Sequence, residues 1–190
     1  STGTLTIENG TFRGNSEANV ANIRTYGQNS KLTINGGTFD TSSTAVLNYD
    51  GTAILNGGMY TTHDHNCSSC GKNWAYVVRT YTDGVEGVSP QLYVNGGTYV
   101  GTQGALSSST GYLEINGGYF KTQDCAQGHG AVFYAVYAAG EYGDIKCVIN
   151  AGTFETIGTR PAALLGNDNT NGDGGINADA VSQINGGTFI

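Results

Sequence analysis

Histidine and cysteine, the side chains that bind zinc most often in proteins, are concentrated in two short segments of the chain. All three histidines and three of the four cysteines lie within residues 61–73 and 121–130. They are His63, His65, Cys67, Cys70, Cys125 and His129. The spacing Cys-x-x-Cys beside His-x-His suits a tetrahedral zinc ion. The metal hypothesis therefore places zinc at His63, His65, Cys67 and Cys70, with Cys125 or His129 as a replacement ligand.

Two other chemical states of these cysteines are open. A secreted chain with an even number of cysteines usually forms disulfides, and a long loop gains stability from such a bond. The sequence thus favours a bond from Cys67 to Cys70 or to Cys125, and free thiols are the remaining alternative. Cys147 stands apart from the cluster, at a position expected to point into the core, where it would act as a small buried apolar side chain. A bond from Cys147 to Cys125 is the alternative.

Residues suited to catalysis are sparse. Gly128-His129-Gly130 near Asp124 is superficially similar to part of the polygalacturonase-like hydrolase site, but the adjacent aspartate pair and the Arg-x-Lys of that site are missing. The segment 168–174 has the Asp, Asn and Gly content of a calcium loop without a closing carboxylate, so calcium is only an option there. We therefore expect no catalytic residues and no required cofactor, with zinc or calcium as the open options.

Aromatic residues offer a second kind of chemistry, the stacking of sugar rings. The candidates for glycan stacking are Tyr26, Tyr49, Trp74, Tyr81 and Tyr93. Tyrosine is also an ordinary strand residue, so each of them equally fits a packing role.

Charge and hydropathy exclude two classes of partner. The chain has a net charge of -7, and its few lysines and arginines form no cluster, so it lacks the positive surface that nucleic acids require. Its longest apolar run, residues 131–139, is far shorter than the roughly 20 residues that span a bilayer. We expect neither nucleic-acid binding nor membrane insertion.

A repeated phrase organises the elements that carry these side chains. It reads Leu-Thr-Ile-Asn-Gly-Gly-Thr-Phe at residues 32–39 and occurs, with drift, seven times in all along the chain. Its first and third residues are mostly apolar, which predicts a half-buried strand, and Gly-Gly predicts a sharp corner before a second strand. A further apolar stretch follows in most copies. Each repeat is therefore predicted to contain two or three short strands, with variable insertions as surface loops.

Repeats of this size bury their inward side chains only by stacking on one another. The sequence therefore predicts an all-β fold, a parallel β-solenoid (β-helix) of about seven coils with loop insertions. Stacking would also place the fourth residues of the phrase one above another. The residues expected to form this amide ladder are Asn35, Asn56, Asn95, Asn116, Asn150 and Asn185.

The Ile-Asn-Gly-Gly-Thr-Phe phrase resembles repeats of right-handed parallel β-helix proteins of the pectate-lyase-like superfold, found in secreted or wall-attached surface proteins of Gram-positive bacteria. The resemblance covers nearly the whole chain. We expect residues 1–190 to form a single solenoid domain. Departures are Glu8-Asn9, Ala151 in place of the first glycine, and Met59 or Tyr119 in place of threonine. The resemblance implies a right-handed coil. It says little about function, because this superfold hosts many functions.

These observations lead to a functional expectation. A chain built of repeats and without a coherent acid, base or nucleophile set is expected to be a non-catalytic structural or adhesive protein. The resemblance implies that this protein is extracellular or lies on the cell surface of bacteria. A polysaccharide-binding module is the first alternative, and a polysaccharide lyase or hydrolase the second. Neither terminal repeat carries a capping element, so we expect flanking solenoid repeats, or copies of the chain stacked head to tail into a filament.

Overall fold

The structure is a computed structural model. It describes residues 3–14, 21–62, 76–81, 90–102, 104–109, 111–123, 130–135, 146–157, 161–165 and 181–190. All regular elements in these ranges are β-strands. No helix among the described residues is long and apolar enough to cross a membrane.

Most of the strands are three to six residues long, and they follow one another at short intervals. In chain order they are β1 (Thr4–Ile7), β2 (Thr11–Arg13), β3 (Ala21–Tyr26), β4 (Lys31–Ile34), β5 (Thr38–Thr41), β6 (Thr44–Tyr49), β7 (Thr52–Leu55), β8 (Met59–Thr62), β9 (Tyr76–Tyr81), β10 (Gln91–Val94), β11 (Thr98–Gly101), β12 (Gly104–Ser109), β13 (Tyr112–Ile115), β14 (Tyr119–Thr122), β15 (Val132–Ala135), β16 (Lys146–Ile149), β17 (Thr153–Glu155), β18 (Ala163–Leu165), β19 (Val181–Ile184) and β20 (Thr188–Phe189).

The strands form three parallel sheets in which every third strand is a neighbour. The first sheet has the order β1-β4-β7-β10-β13-β16-β19, the second β2-β5-β8-β11-β14-β17-β20, and the third β18-β15-β12-β9-β6-β3. Chain neighbours thus lie in different sheets, and each repeat pairs with the equivalent strands of the next, as in a solenoid. The predicted all-β class and the parallel stacking are confirmed.

The register of the sheets keeps equivalent residues of the repeat side by side. Leu5 pairs with Leu32, and Leu32 with Ala53, while Ile7, Ile34 and Leu55 follow the same rule two residues later. The inward positions of the first two sheets alternate with outward ones, which gives the period-two burial that the sequence predicts. The core is a continuous cluster of aliphatic and aromatic side chains between the three sheets.

Glycine makes the corner between the first and second sheets possible. The second residue of each Gly-Gly pair has a positive φ, for example 117° at Gly37 and 108° at Gly97. A Cβ at Gly37 would also lie 3.0 Å from the carbonyl oxygen of Gly10 in the neighbouring corner. The first residue of the pair has no positive φ, which explains why Asn9 and Ala151 are tolerated there.

The third sheet carries polar as well as apolar inward positions. Asn48 on β6 is fully buried, and its side-chain amide donates to the carbonyl oxygens of Gly51 and Gln91. Its Oδ1 accepts a hydrogen bond from the Thr25 hydroxyl on β3. The buried amide therefore ties the third sheet to the segment that leads back into the first sheet, because a buried polar group must find such partners.

Candidate functional site

The predicted zinc or disulfide cluster lies outside the described residues. This applies to His63, His65, Cys67, Cys70, Cys125 and His129, and also to the candidate calcium segment 168–174. Within the part of the chain that the structure describes, no group of three or more His, Cys, Asp or Glu side chains is arranged to hold a metal ion. The zinc and disulfide alternatives therefore stay predictions.

Cys147 is described, and its thiol is free and fully buried. It lies on β16 between Leu113 and Ser182 of the neighbouring strands. Burial raises the pKa of the thiol to about 12, because a thiolate is poorly solvated among apolar side chains. Cys147 thus fits its expected role as a small core residue, and Cys125, its alternative bonding partner, lies outside the described residues.

The six asparagines of the predicted ladder form one line of hydrogen bonds, which we call the asparagine column. From the second residue of the column onward, the side-chain Nδ2 of each asparagine donates to the Oδ1 of the asparagine one strand earlier in the first sheet, over 2.7 to 3.0 Å. Its members are Asn35, Asn56, Asn95, Asn116, Asn150 and Asn185. The residues are solvent-exposed, so the column runs along the outer corner between the first and second sheets.

Different side chains lie at the two ends of this column. At the β1 end Asn35 donates to a carboxylate oxygen of Glu8 at 2.8 Å. At the β19 end the Oδ1 of Asn185 accepts from the side-chain amide of Gln183 at 2.7 Å. From the sequence alone, Glu8 is only a departure from the repeat phrase. In the structure it occupies the position that an asparagine holds in the other copies, and it accepts the hydrogen bond from Asn35.

A second column, which the sequence analysis missed, consists of aromatic rings. Neighbouring rings are stacked with centroids 4.6 to 5.0 Å apart and planes within 14° of parallel. Its members are Phe12, Phe39, Tyr60, Tyr99, Phe120, Phe154 and Phe189. The signal was present, because every copy of the phrase ends on an aromatic residue. We call this the aromatic column.

The two tyrosines in the aromatic column are each tied to the Gly-Gly corner of their own repeat. The Tyr60 hydroxyl donates to the carbonyl oxygen of Gly57 at 2.8 Å, and that of Tyr99 to Gly96 at 2.7 Å. Burial raises the pKa of both phenols well above the ordinary value. Both rings are therefore structural residues that remain neutral and keep donating at any physiological pH.

The outer face of the third sheet brings two of the glycan-stacking candidates together. The rings of Tyr26 and Tyr49 are 5.8 Å apart with a tilt of 42°. The guanidinium carbon of Arg24 lies 4.6 Å from the Tyr49 ring centroid and 5.9 Å from that of Tyr26, within cation–π range. The strand position of Tyr81 pairs with Tyr49. We call Arg24, Tyr26 and Tyr49 the tyrosine–arginine face. Sequence analysis missed Arg24, although its spacing two residues before Tyr26 signals the same face.

The remaining glycan candidates are distributed differently. Trp74 lies outside the described residues. Tyr93 lies on the outer face of the first sheet, where its ring is 5.5 Å from that of Tyr112. The Tyr112 hydroxyl donates to Glu114, and this hydrogen bond is the main reason why its pKa is raised to about 12. Tyr93 is therefore separated from Tyr26 and Tyr49, which face outward from a different sheet.

A third outward cluster lies on the second sheet. Lys121 donates to one oxygen of Glu155 at 2.7 Å, and the Tyr119 hydroxyl donates to the other. The hydrogen bond from Lys121, followed by that from Tyr119, lowers the pKa of Glu155. The carboxylate is thus already occupied by donors from the neighbouring strand, which makes this cluster a cross-strand link between β14 and β17.

Comparisons of this chain with known protein families, curated proteins and solved structures find no match.

Proposed function

We propose that the chain is a non-catalytic structural or adhesive rod of a bacterial cell surface, built as a right-handed parallel β-helix of about seven coils. The observation that carries this proposal is the continuity of register. The asparagine column, extended by Glu8, and the aromatic column each run from the first to the last strands of their sheets. The recurring side chains of the repeat are thus used in coil-on-coil contacts, which is what a stacking rod requires.

The partners in this proposal are further coils of the same kind, from flanking repeats or from other copies of the chain. The extracellular location is supported by the resemblance of the repeat to those of bacterial surface proteins. Labelling of intact cells of the source bacterium with an antibody against residues 1–190 tests the location. We expect labelling without permeabilisation, and signal only after lysis would overturn it.

Catalysis is tested separately. A reducing-sugar assay on plant and mucosal polysaccharides is expected to give no turnover above that of heat-denatured protein. The variant His129→Ala serves as the control, because His129 is the residue that most nearly matches a glycosidase motif. Turnover that this variant abolishes would contradict the non-catalytic proposal and favour the polysaccharide-active alternative.

Polysaccharide binding is the second candidate function, and the tyrosine–arginine face favours it. Tyr26 is 57% exposed, although it also contacts other side chains. Two tyrosine rings on neighbouring strands offer successive stacking surfaces along the stack of coils, and an exposed guanidinium beside them offers hydrogen-bond donors to sugar hydroxyls or acidic groups. This arrangement suits a glycan chain that runs across the strands.

A glycan array with matched variants tests this candidate. Tyr26→Ala and Arg24→Ala are expected to lower the affinity for any bound glycan about tenfold or more, as for aromatic and arginine residues that dominate an interface. Tyr119→Ala on the second sheet is the control and should leave binding unchanged. Equal binding by all variants would exclude the tyrosine–arginine face as the site.

A further inference from the structure

Buried polar side chains form a column inside the third sheet. They occupy equivalent positions of four neighbouring strands, β3, β6, β9 and β12, whose register places each side chain beside the next. The residues are Thr25, Asn48, Thr80 and Ser108, all at most 8% exposed, and we call them the buried polar column. Because a buried polar group is unfavourable without a hydrogen-bond partner, the partners of these side chains decide what the column contributes to the fold.

The Asn48 amide satisfies the first half of this column. Its Oδ1 accepts from the Thr25 hydroxyl at 2.9 Å. Its Nδ2 donates to the carbonyl oxygens of Gly51 at 2.9 Å and of Gln91 at 3.2 Å. One compact polar group thus bonds both to a hydroxyl on the neighbouring strand and to the backbone that leads into the first sheet.

Thr80 and Ser108 have no comparable group between them. Neither hydroxyl has a hydrogen-bond partner among the described residues, although the two residues are only 1% and 0% exposed. An unpaired buried hydroxyl is unfavourable, because it has given up its hydrogen bonds to bulk water. The pair therefore has unused donors and acceptors in a place that is closed to bulk solvent.

The spacing of the two residues suits a bridging oxygen atom. Thr80 and Ser108 are direct neighbours on parallel strands, and such strands lie about 4.8 Å apart. This spacing is too long for a direct bond between hydroxyls, whose oxygen–oxygen distance is usually about 2.8 Å. An oxygen atom about 2.8 Å from two hydroxyls with this spacing makes an angle of about 120° between them. Such an angle suits the near-tetrahedral hydrogen bonding of water.

Side-chain size and chemistry favour a water molecule as the occupant. Ser108 lacks the methyl group of Thr80 and the amide group of Asn48, so it is the smallest member of the column. Serine and threonine hydroxyls both donate and accept, so each can bond to water in either sense. Larger polar ligands do not fit among close-packed core side chains, whereas single buried waters commonly bind polar groups there.

We propose that one water molecule binds between the hydroxyls of Thr80 and Ser108. It links β9 to β12 and takes the place that the Asn48 amide has beside Thr25. The water is a structural ligand of the core, held by side chains from two different coils. The inference depends on the pairing of β9 with β12 and goes beyond the proposed function, so either can fail without the other.

Oxygen-17 relaxation dispersion of water tests the site, because it counts the water molecules that stay bound inside a protein and does not detect hydroxyl protons. Ser108→Asn places an amide beside Thr80, as Asn48 lies beside Thr25, and is expected to displace the water. We expect this variant to hold one long-lived water molecule fewer than the native chain. Thr33→Asn on the outer face of the first sheet is the control and should leave the count unchanged. Equal counts for the native chain and Ser108→Asn would overturn the proposal.

Thr80→Val gives an independent test through the sign of its effect on stability. With a bridging water, loss of the Thr80 hydroxyl removes a hydrogen bond and is expected to raise the equilibrium constant for unfolding about fivefold. Without one, replacing an unpaired buried hydroxyl by an apolar group of the same shape lowers that constant instead. Thr33→Val is the control for the preference of valine for strands. Urea denaturation measures both variants. A Thr80→Val chain as stable as this control, or more stable, overturns the proposal even where Ser108→Asn does not fold.

Discussion

Glycine at the second position of each Gly-Gly pair is required by backbone geometry. Gly37 has a φ of 117°, a value that residues with a Cβ rarely adopt. Gly36 has no such φ, and its Cβ would lie 3.1 Å from the carbonyl oxygen of Glu8. We expect Gly37→Ala to lower the free energy of unfolding by about 1–3 kcal/mol, and Gly36→Ala to lower it by less. Urea denaturation of the two variants provides the measurement, and equal losses would contradict this assignment.

The carboxylate of Glu155 is stabilised by its donors from β14. Because Lys121 and Tyr119 lower its pKa, the stabilisation is present above the usual pKa of glutamate, about 4.3, and is lost as the pH falls through the lower folded-state value. We expect Lys121→Ala to raise the pKa of Glu155, and the stability difference between variant and native protein to disappear at acid pH. NMR titration of the Glu155 carboxyl carbon checks the shift. An unchanged pKa would show that Lys121 does not hold the carboxylate.

At the level of the strands, the aromatic column connects the coils of the second sheet. Tyr99 is fully buried and stacked between Tyr60 and Phe120. We expect Tyr99→Ala to cost about 3–5 kcal/mol of stability, since it removes two ring contacts and leaves a cavity. Tyr99→Phe keeps the stacking and loses only the hydrogen bond to Gly96, so about 1 kcal/mol is expected. Chemical denaturation measures both, and a larger loss for phenylalanine than for alanine would rule out stacking as the main contribution.

The asparagine and aromatic columns also explain why the repeat phrase drifts where it does. Met59 and Tyr119 occupy a position that faces outward at the start of the second sheet, so no column depends on that position. The aromatic and second-glycine positions, by contrast, each contact their equivalents in the neighbouring coils. The repeat thus drifts at an outward position that belongs to neither column.

For the molecule as a whole, Cys147 is a natural reporter of cooperative opening. Its thiol is fully buried and its pKa is about 12, so it should react only in molecules whose core has opened. We expect alkylation of Cys147 by iodoacetamide at pH 8 to be at least about a hundredfold slower than in urea-unfolded protein. Peptide mass spectrometry distinguishes Cys147 from the other three cysteines. Rapid alkylation of the native chain would contradict the closed core.

The same experiment addresses the predicted histidine and cysteine cluster. If Cys67 and Cys70 are bonded to each other or to Cys125, non-reduced peptides will be linked, and if they bind zinc, elemental analysis will find the metal. Four alkylatable thiols in the unfolded, non-reduced chain, together with no zinc, would show that the two segments do not form the predicted cluster.

The strands, their inward-facing residues and the corners between them could be predicted from the sequence. Alternating apolar residues predicted the inward side chains of the first two sheets, and Gly-Gly predicted the corners, because both depend on the backbone and on neighbours within one repeat. The positions of the asparagines in the phrase likewise led to the expected ladder. A recurring phrase reveals parallel stacking, since equal units bury their faces best against one another.

Contacts between side chains of different repeats required the fold. Arg24, Tyr26 and Tyr49 meet because β3 and β6 pair in one particular register, and the segments of unequal length between repeats hide that register in the sequence. The orientation of the amides in the asparagine column, and the hydrogen bond that Glu8 accepts from Asn35, depend on which neighbour donates to which. These properties arise from pairing across 21 or more residues of chain, where the geometry of the sheet, not local sequence, sets which side chains touch.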